Sequence, residues 1–282
     1  MNWESLLLMR NELGLLAVIL LLLIFEIFST KEQKGKIVSV AIVLFMIHTV
    51  IGFLPLNQGT LFGGMFKTHA LLYFFKNTLN IGVLFLLLQS AEWLNKNVVE
   101  QNKATEFFVL LFSSLLGMYF MISAGDFLMF YIGLELATLP VAALVAYETY
   151  KRDSAEGGVK LVLSSALASG TALLGISFLY ATTGTIYFDA MATILGSSNL
   201  SVLGFIFFFS GLAFKISLVP FHFWTADVYQ GAPISIASFL SVISKGSAVM
   251  ILLIILFTVM KPLMPVWSKI IYIVAIATMF MG

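Results

Sequence analysis

Apolar runs of about 20 residues, the length a helix needs to cross a hydrocarbon core, recur along this chain between short polar or Gly/Pro-marked breaks. They predict helices at Leu13–Phe28, Ile37–Leu56, His69–Ser90, Phe107–Ala124, Asp126–Tyr147, Val159–Tyr180, Leu200–Tyr229, Pro233–Phe257 and Pro265–Gly282. The fourth and fifth meet at a tight turn on Gly125. The connection GTIYFDAMATILGSSNLS is the longest and only weakly apolar, with room for a short helix lying at the interface. The expected fold is an all-α polytopic membrane protein of about nine transmembrane helices, the last incomplete, with no soluble domain.

The seventh segment departs from a plain helix. In LAFKISLVPFHFWTADVYQGAP, Pro220 removes a backbone donor and its ring clashes with the preceding turn. An ordinary proline kink is one reading. A discontinuous helix is the other, and at membrane depth unwound backbone persists only where it is buried in protein or lines a cavity.

Composition narrows the class. Hydrophobic residues make up 60% of the chain and charged residues 10%, with mean hydropathy +1.04; a soluble domain carries about 25% charge. A net charge of +1 without a basic run excludes a nucleic-acid surface. With no cysteine the chain lacks a disulfide framework and the thiolates that hold ordinary iron–sulfur clusters. His48, His69 and His222 are scattered, which argues against bound metal or haem. MNWESLLLMRNELG lacks a signal-peptide cleavage pattern, so the first run reads as a permanent helix. Lys31, Lys34, Lys36, Lys96, Lys103, Lys151 and Arg152 fall in odd-numbered loops, against Arg10, Lys67, Lys261 and Lys269 on the other side. The balance favours an outside N-terminus.

Against this background three charges stand near the middle of apolar segments: Glu135 in FLMFYIGLELATLPVAALVAY, Lys215 in FIFFFSGLAFKISLVPF, and Lys245 in SIASFLSVISKGSAVMILLII. A charge at bilayer centre costs roughly 2.5–3.5 kcal/mol on insertion scales, so such groups face protein or a water-filled path. A desolvated Lys changes its proton affinity readily and a nearby carboxylate restores the charged form, which is what a proton relay requires. The competing reading is a static ion pair of Glu135 with Lys215, leaving Lys245 to snorkel or to bond carbonyls. His222, just past the break, suits a proton shuttle or an interior hydrogen-bonded role. Lys160, at the start of the sixth segment, reads as snorkelling or as modulating Glu135. Lys76 in YFFKNTLN is secondary, Glu26 is placed at the interface, and Asp126 at a helix start.

At these residues the chain resembles a known family. GLAFKISLVPFHFWTADVYQGAP followed by FLSVISKG is similar to the antiporter-like proton-translocating subunits, most of all those of the subunit N type in bacterial NADH:quinone oxidoreductase, respiratory complex I. FYIGLELATLPVAALVAY and EGGVKLVLSSALASGTALLGISFLYATTGTIYF follow the same pattern in the same order, so the likeness covers roughly Phe107–Gly282. The resemblance implies that Glu135 is the fifth-helix glutamate that modulates Lys215 of the broken seventh helix. Lys245 is then the eighth-helix lysine and Lys160 the sixth-helix lysine, with His222 on the histidine after the break.

It further implies protons passing along a hydrated mid-membrane line, driven by quinone reduction in neighbouring subunits of a bacterial inner (plasma) membrane. FMN, iron–sulfur clusters and quinone belong to those partner subunits, and this chain is a non-redox subunit of a translocase with no cofactor or catalytic centre of its own. The implied organisation is a three-helix region over 1–106, a five-helix repeat over 107–258 (helices four to eight), and the opening of a second repeat over 259–282. Ala226 and Ser235 stand where the pattern usually has proline, and the family's twelfth-helix lysine has no counterpart here. The last segment ends as ATMFMG, still apolar, which reads as a minimal terminal span or as a piece of a longer protein. A subunit of a multisubunit cation/proton antiporter is the alternative function.

Overall fold

Long apolar stretches with few helix breakers become helices here, because at membrane depth each backbone N–H and C=O needs a partner within its own segment. The computed structural model describes residues 6–29, 36–55, 57–99 and 103–281. Lys31 and Lys34 of the first loop, and the expected helix ends Leu56 and Gly282, lie outside the described residues. Among the described residues eight helices are long and apolar enough to cross a membrane, and a ninth, of 16 residues, is shorter. They are α1 (Arg10–Phe28), α2 (Ile37–Gly52), α3 (Ala70–Trp93), α4 (Ala104–Ile122), α5 (Phe127–Val145), α6 (Arg152–Thr183), α7 (Asn199–Ile216), α8 (Ile234–Thr258) and α9 (Met264–Met281). A short helix, Phe188–Ile194, occupies the connection after α6.

Hydropathy located the spans better than their ends. α6 starts at Arg152 rather than Val159, because its polar first turns have partners: Ser154 Oγ donates to Val145 O at 2.7 Å, and Lys160 pairs with Glu156 one turn away. α2 stops at Gly52, where the guanidinium of Arg10 donates to Gly52 O at 3.1 Å and Leu54 O at 2.7 Å. A cation there satisfies carbonyls that the helix leaves open.

One element is absent from the helical reading. A two-stranded antiparallel hairpin, β1 (Gly59–Leu61) and β2 (Phe66–Thr68), lies between α2 and α3. It is stitched to the α4–α5 turn: Lys67 N donates to Ser123 O at 2.8 Å and Gly125 N to Met65 O at 2.6 Å. Gly125 is required at this crossing, since a Cβ there would lie 2.0 Å from Gly64 O. Lys67 Nζ reaches Asp189 Oδ1 of the short helix at 2.6 Å. With Asp189 84% exposed, that contact positions the hairpin more than it stabilises it.

The core continues across the helices that carry the central charges. One apolar cluster runs through α1–α5 and onto α8 and the segment after α7; the other joins α5–α8 with Trp267 of α9. α7 rides directly on α6. A Cβ on Gly211 would lie 2.6 Å from Ala168 O and 2.6 Å from Ala172 Cβ, so small residues bring the two backbones together. Gly211 is one turn before Lys215, and this close crossing therefore sets where Lys215 stands against α6.

Candidate functional site: a line of polar groups around a broken helix

Helix α7 ends one residue after Lys215. Ser217 takes a left-handed backbone (φ 66°), and Leu218 N closes the end on Ala213 O at 2.9 Å. The chain turns through Pro220 and resumes as the helix Trp224–Gly231, so the discontinuous reading is the one the structure adopts. Trp224 spans the gap: its indole N–H donates to Phe214 O at 3.1 Å and its ring stacks on Phe214 at 5.1 Å. On the other side Val219 N donates to Thr278 Oγ1 of α9 at 3.2 Å. Backbone groups freed by the break are thus held by side chains from neighbouring elements.

Lys215 stands between two small cavities. One, of about 20 Å³, is lined by Glu135, Thr138, Ser165, Ser169, Gly211 and Lys215 itself. The other, also about 20 Å³, is bounded by Lys215, Thr138, Trp224 and Ser244, among others. Each has room for about one water molecule. No ion pair within 4.0 Å joins Glu135 to Lys215 among the described residues. Lys215 Nζ instead donates to Thr138 Oγ1 at 2.5 Å, and that hydroxyl donates onward to Leu134 O at 2.6 Å. Thr138 is one turn beyond Glu135 on α5, so the lysine sits one hydroxyl and one cavity away from the carboxylate.

Lys245 follows directly on a π-helical stretch, Phe239–Ser244, inside α8. A π-bulge re-aims the side chains that follow it and recurs at functional sites. Here it sets Ser244 on the Lys215 cavity and Lys245 Nζ over the ring of Tyr229, 5.3 Å from the centroid. That contact lends a partly desolvated ammonium some stabilisation. The Tyr229 hydroxyl is buried without a partner.

The two remaining expected site residues fall elsewhere. Lys160 Nζ lies 2.6 Å from both Glu156 and Asp227, and its side chain is 42% exposed. Asp153, Glu156, Asp227 and Gln230 line a neighbouring open pocket of about 210 Å³. His222 stacks on Phe223 at 4.5 Å, with Nδ1 buried and unpartnered. Sequence reading missed Thr138, the π-helical stretch and Asp227. The first two carry no charge to attract notice, and Asp227 gains its meaning only when the break folds it back on α6.

Thr138 gives a local test. Thr138→Val keeps the shape and removes the acceptor, and a hydrogen bond to a charged group contributes about 1.5–3 kcal/mol. Loss of the bond leaves the Lys215 ammonium without the Thr138 oxygen. Abundance of the protein in purified membranes is expected to fall, with Thr138→Ser restoring the parent level.

Similarities to known proteins can now be placed on this geometry. The family described as NADH:quinone oxidoreductase/Mrp antiporter, TM matches residues 124–282. A protein called NADH-quinone oxidoreductase subunit N from Phocaeicola vulgatus is 46% identical over 99% of this chain and 58% of its own length. The protein of that name from Azobacteroides pseudotrichonymphae is 43% identical over 100% of this chain and 59% of its own length. The chain thus spans somewhat over half the length of these relatives. A solved structure of respiratory complex I from Thermus thermophilus superposes with TM-score 0.72 at 24% identity, covering 86% of this chain and 52% of that one, a likeness of fold. The family match takes in the broken helix and both of its cavities over more than half of the sequence, and the chain belongs to the NADH:quinone oxidoreductase/Mrp antiporter transmembrane family.

Proposed function

We propose that this chain is part of a proton-translocating membrane subunit of an NADH:quinone oxidoreductase, and that Glu135, Lys215 and Lys245 carry its proton relay. One observation carries the reading: Lys215 stands between two water-sized cavities, one shared with Glu135 and the other reaching Ser244 beside Lys245. A proton on Lys215 has neighbours on both sides. Because Glu135 is close without being paired, its charge biases Lys215 without fixing it, and a water in the shared cavity completes the hydrogen-bond link. Lys245, resting on Tyr229, takes the proton onward. Lys160, Asp227 and Glu156 gather at one end of α6, where the open acidic pocket suits proton uptake toward Glu135. His222 is a secondary shuttle.

In this reading quinone, FMN and iron–sulfur clusters belong to partner subunits, and the neighbouring membrane subunits of the complex supply the driving reaction. The protein lies in a bacterial inner membrane with its N-terminus outside, and 107–258 acts as the transport unit. The family's description also names antiporters, and one experiment separates the two. Membranes from a strain lacking the gene are expected to lose NADH-driven proton translocation whether or not Na⁺ is present. Loss of Na⁺/H⁺ exchange with NADH-driven translocation intact would instead establish the antiporter function.

A further inference from the structure

The second concentration of buried polar groups lies away from Lys215, beneath the hairpin. Glu12 of α1 and Lys76 of α3 form an ion pair, and both side chains are 2% exposed. Lys76 Nζ also donates to Ser123 Oγ at 2.5 Å, and it stands 5.3 Å from the centroid of Phe66 and 5.6 Å from that of Tyr119. Tyr119 in turn donates to Asn80, and His48 stacks on Tyr119 at 6.5 Å. Asn11, His48, Asn77 and Asn80 are all buried, from four different turns of three helices.

This cluster is not closed on itself. Glu12 Oε2, both amide atoms of Asn11, His48 Nε2, Asn77 Oδ1 and Asn80 Nδ2 are buried without a partner. An open polar atom in a protein interior costs about 1–3 kcal/mol, and a pair kept for architecture alone is replaced by apolar groups at little or no cost. Open polar atoms on α1–α3, those of His48 and Asn80 linked to the Glu12–Lys76 pair through Tyr119, make sense if the carboxylate exchanges something with them.

We propose that Glu12 and Lys76 form a second proton-binding centre, in which Glu12 takes up and releases a proton through water held by Asn11, His48 and Asn80. In the loaded state a proton from water sits on Glu12 Oε2, the open oxygen. The contact from Lys76 to Oε1 weakens, and the lysine keeps its charge on Ser123 Oγ and the rings of Phe66 and Tyr119. On release the proton returns to water and the ion pair re-forms. Exchange runs toward the hairpin end of the bundle, where Glu12 is in the first turn of α1 and Lys76 is two turns into α3. The other titratable groups facing the centre are Arg10, His48, Lys67, His69, Tyr73 and Tyr119. His69 is held below the usual imidazole range by its burial and by the ammonium groups of Lys67 and Lys76.

The centre stands on its own geometry and rests on the proposed function only for its part in turnover. Its test is the double variant Glu12→Gln/Lys76→Met in the full-length subunit within the assembled complex, reconstituted into vesicles. Assembly is expected, because both charges are removed together. Proton translocation per NADH oxidised, followed against pH, is expected to shift by about one pH unit or more, a tenfold change in proton affinity. A parent-like profile in a normally assembled complex overturns the proposal and leaves a static ion pair. If the double variant does not assemble, Asn11→Leu carries the same test, since it removes a water-holding amide and leaves both charges. A shifted profile supports the centre and an unchanged one at normal abundance overturns it. Glu135→Gln measured alongside separates the two readings: a Glu12 shift with Glu135→Gln inert sinks the relay alone, and the converse sinks this centre alone.

Discussion

Lys215→Met is expected to assemble at parental abundance or above and to lose proton translocation through this subunit. Removing the ammonium relieves a charge that costs roughly 2.5–3.5 kcal/mol on insertion scales, and Thr138 keeps Leu134 O as a partner for its own hydroxyl. Met is unbranched and fills the same path between Gly211 and Trp224. Phe214 of α7 lines both cavities as well, but its ring carries no proton to transfer, which leaves that role on α7 to Lys215. A positioned proton-transfer group contributes about 10²–10⁴-fold, so translocation is expected to fall on the order of 10²-fold. Abundance and activity move apart in this variant, and measuring both in the same vesicles separates loss of chemistry from loss of fold.

The opposite pattern is expected at Lys76. Lys76→Met alone leaves Glu12 charged and buried, and breaking a buried pair from one side costs about 3–5 kcal/mol. That is a large share of a domain's stability, so the subunit is expected to be lost from the assembled complex. Adding Glu12→Gln removes the stranded charge and is expected to restore abundance, which immunodetection of the subunit in purified membranes reads directly. Failure of the second substitution to rescue the first would show that Lys76 is needed for its contacts with Ser123 and the rings rather than for charge balance.

These two lysines also show how far the sequence could be read. Lys215 was visible because a charge in FIFFFSGLAFKISLVPF has nowhere polar to go, and Pro220 marked the break that the structure places directly after it. The spans were legible for the same reason, since the bilayer imposes a length on every apolar run. Lys76 was legible only as a charge near a helix start. Its partner Glu12 sits just before the first strongly apolar run, where a carboxylate reads as a solvated flank. Phe66 of the hairpin stands over Lys76, and the strands Gly59–Leu61 and Phe66–Thr68 are too short for a periodic signal.

Within the site, charge was legible and connection was not. Thr138 is an ordinary helical residue until α5 and α7 cross and place it against Lys215. The π-helical stretch before Lys245 has no breaker in FLSVIS to announce it, because it arises from packing rather than from local preference. Lys160 read as a snorkelling lysine or a modulator of Glu135, and the sequence did not show that its ammonium meets Glu156 and Asp227. That connection depends on the helix Trp224–Gly231 returning to α6 after the break.

The central claim is that Lys215 and Lys245 act in series on one proton path. The most direct measurement is a double-mutant cycle on proton translocation per NADH oxidised, comparing Lys215→Met, Lys245→Met and the two together in vesicles of the assembled complex. Residues acting as one unit are strongly non-additive, so the double variant is expected to be no slower than the slower single variant. A double variant whose loss equals the product of the two single losses would contradict a shared path.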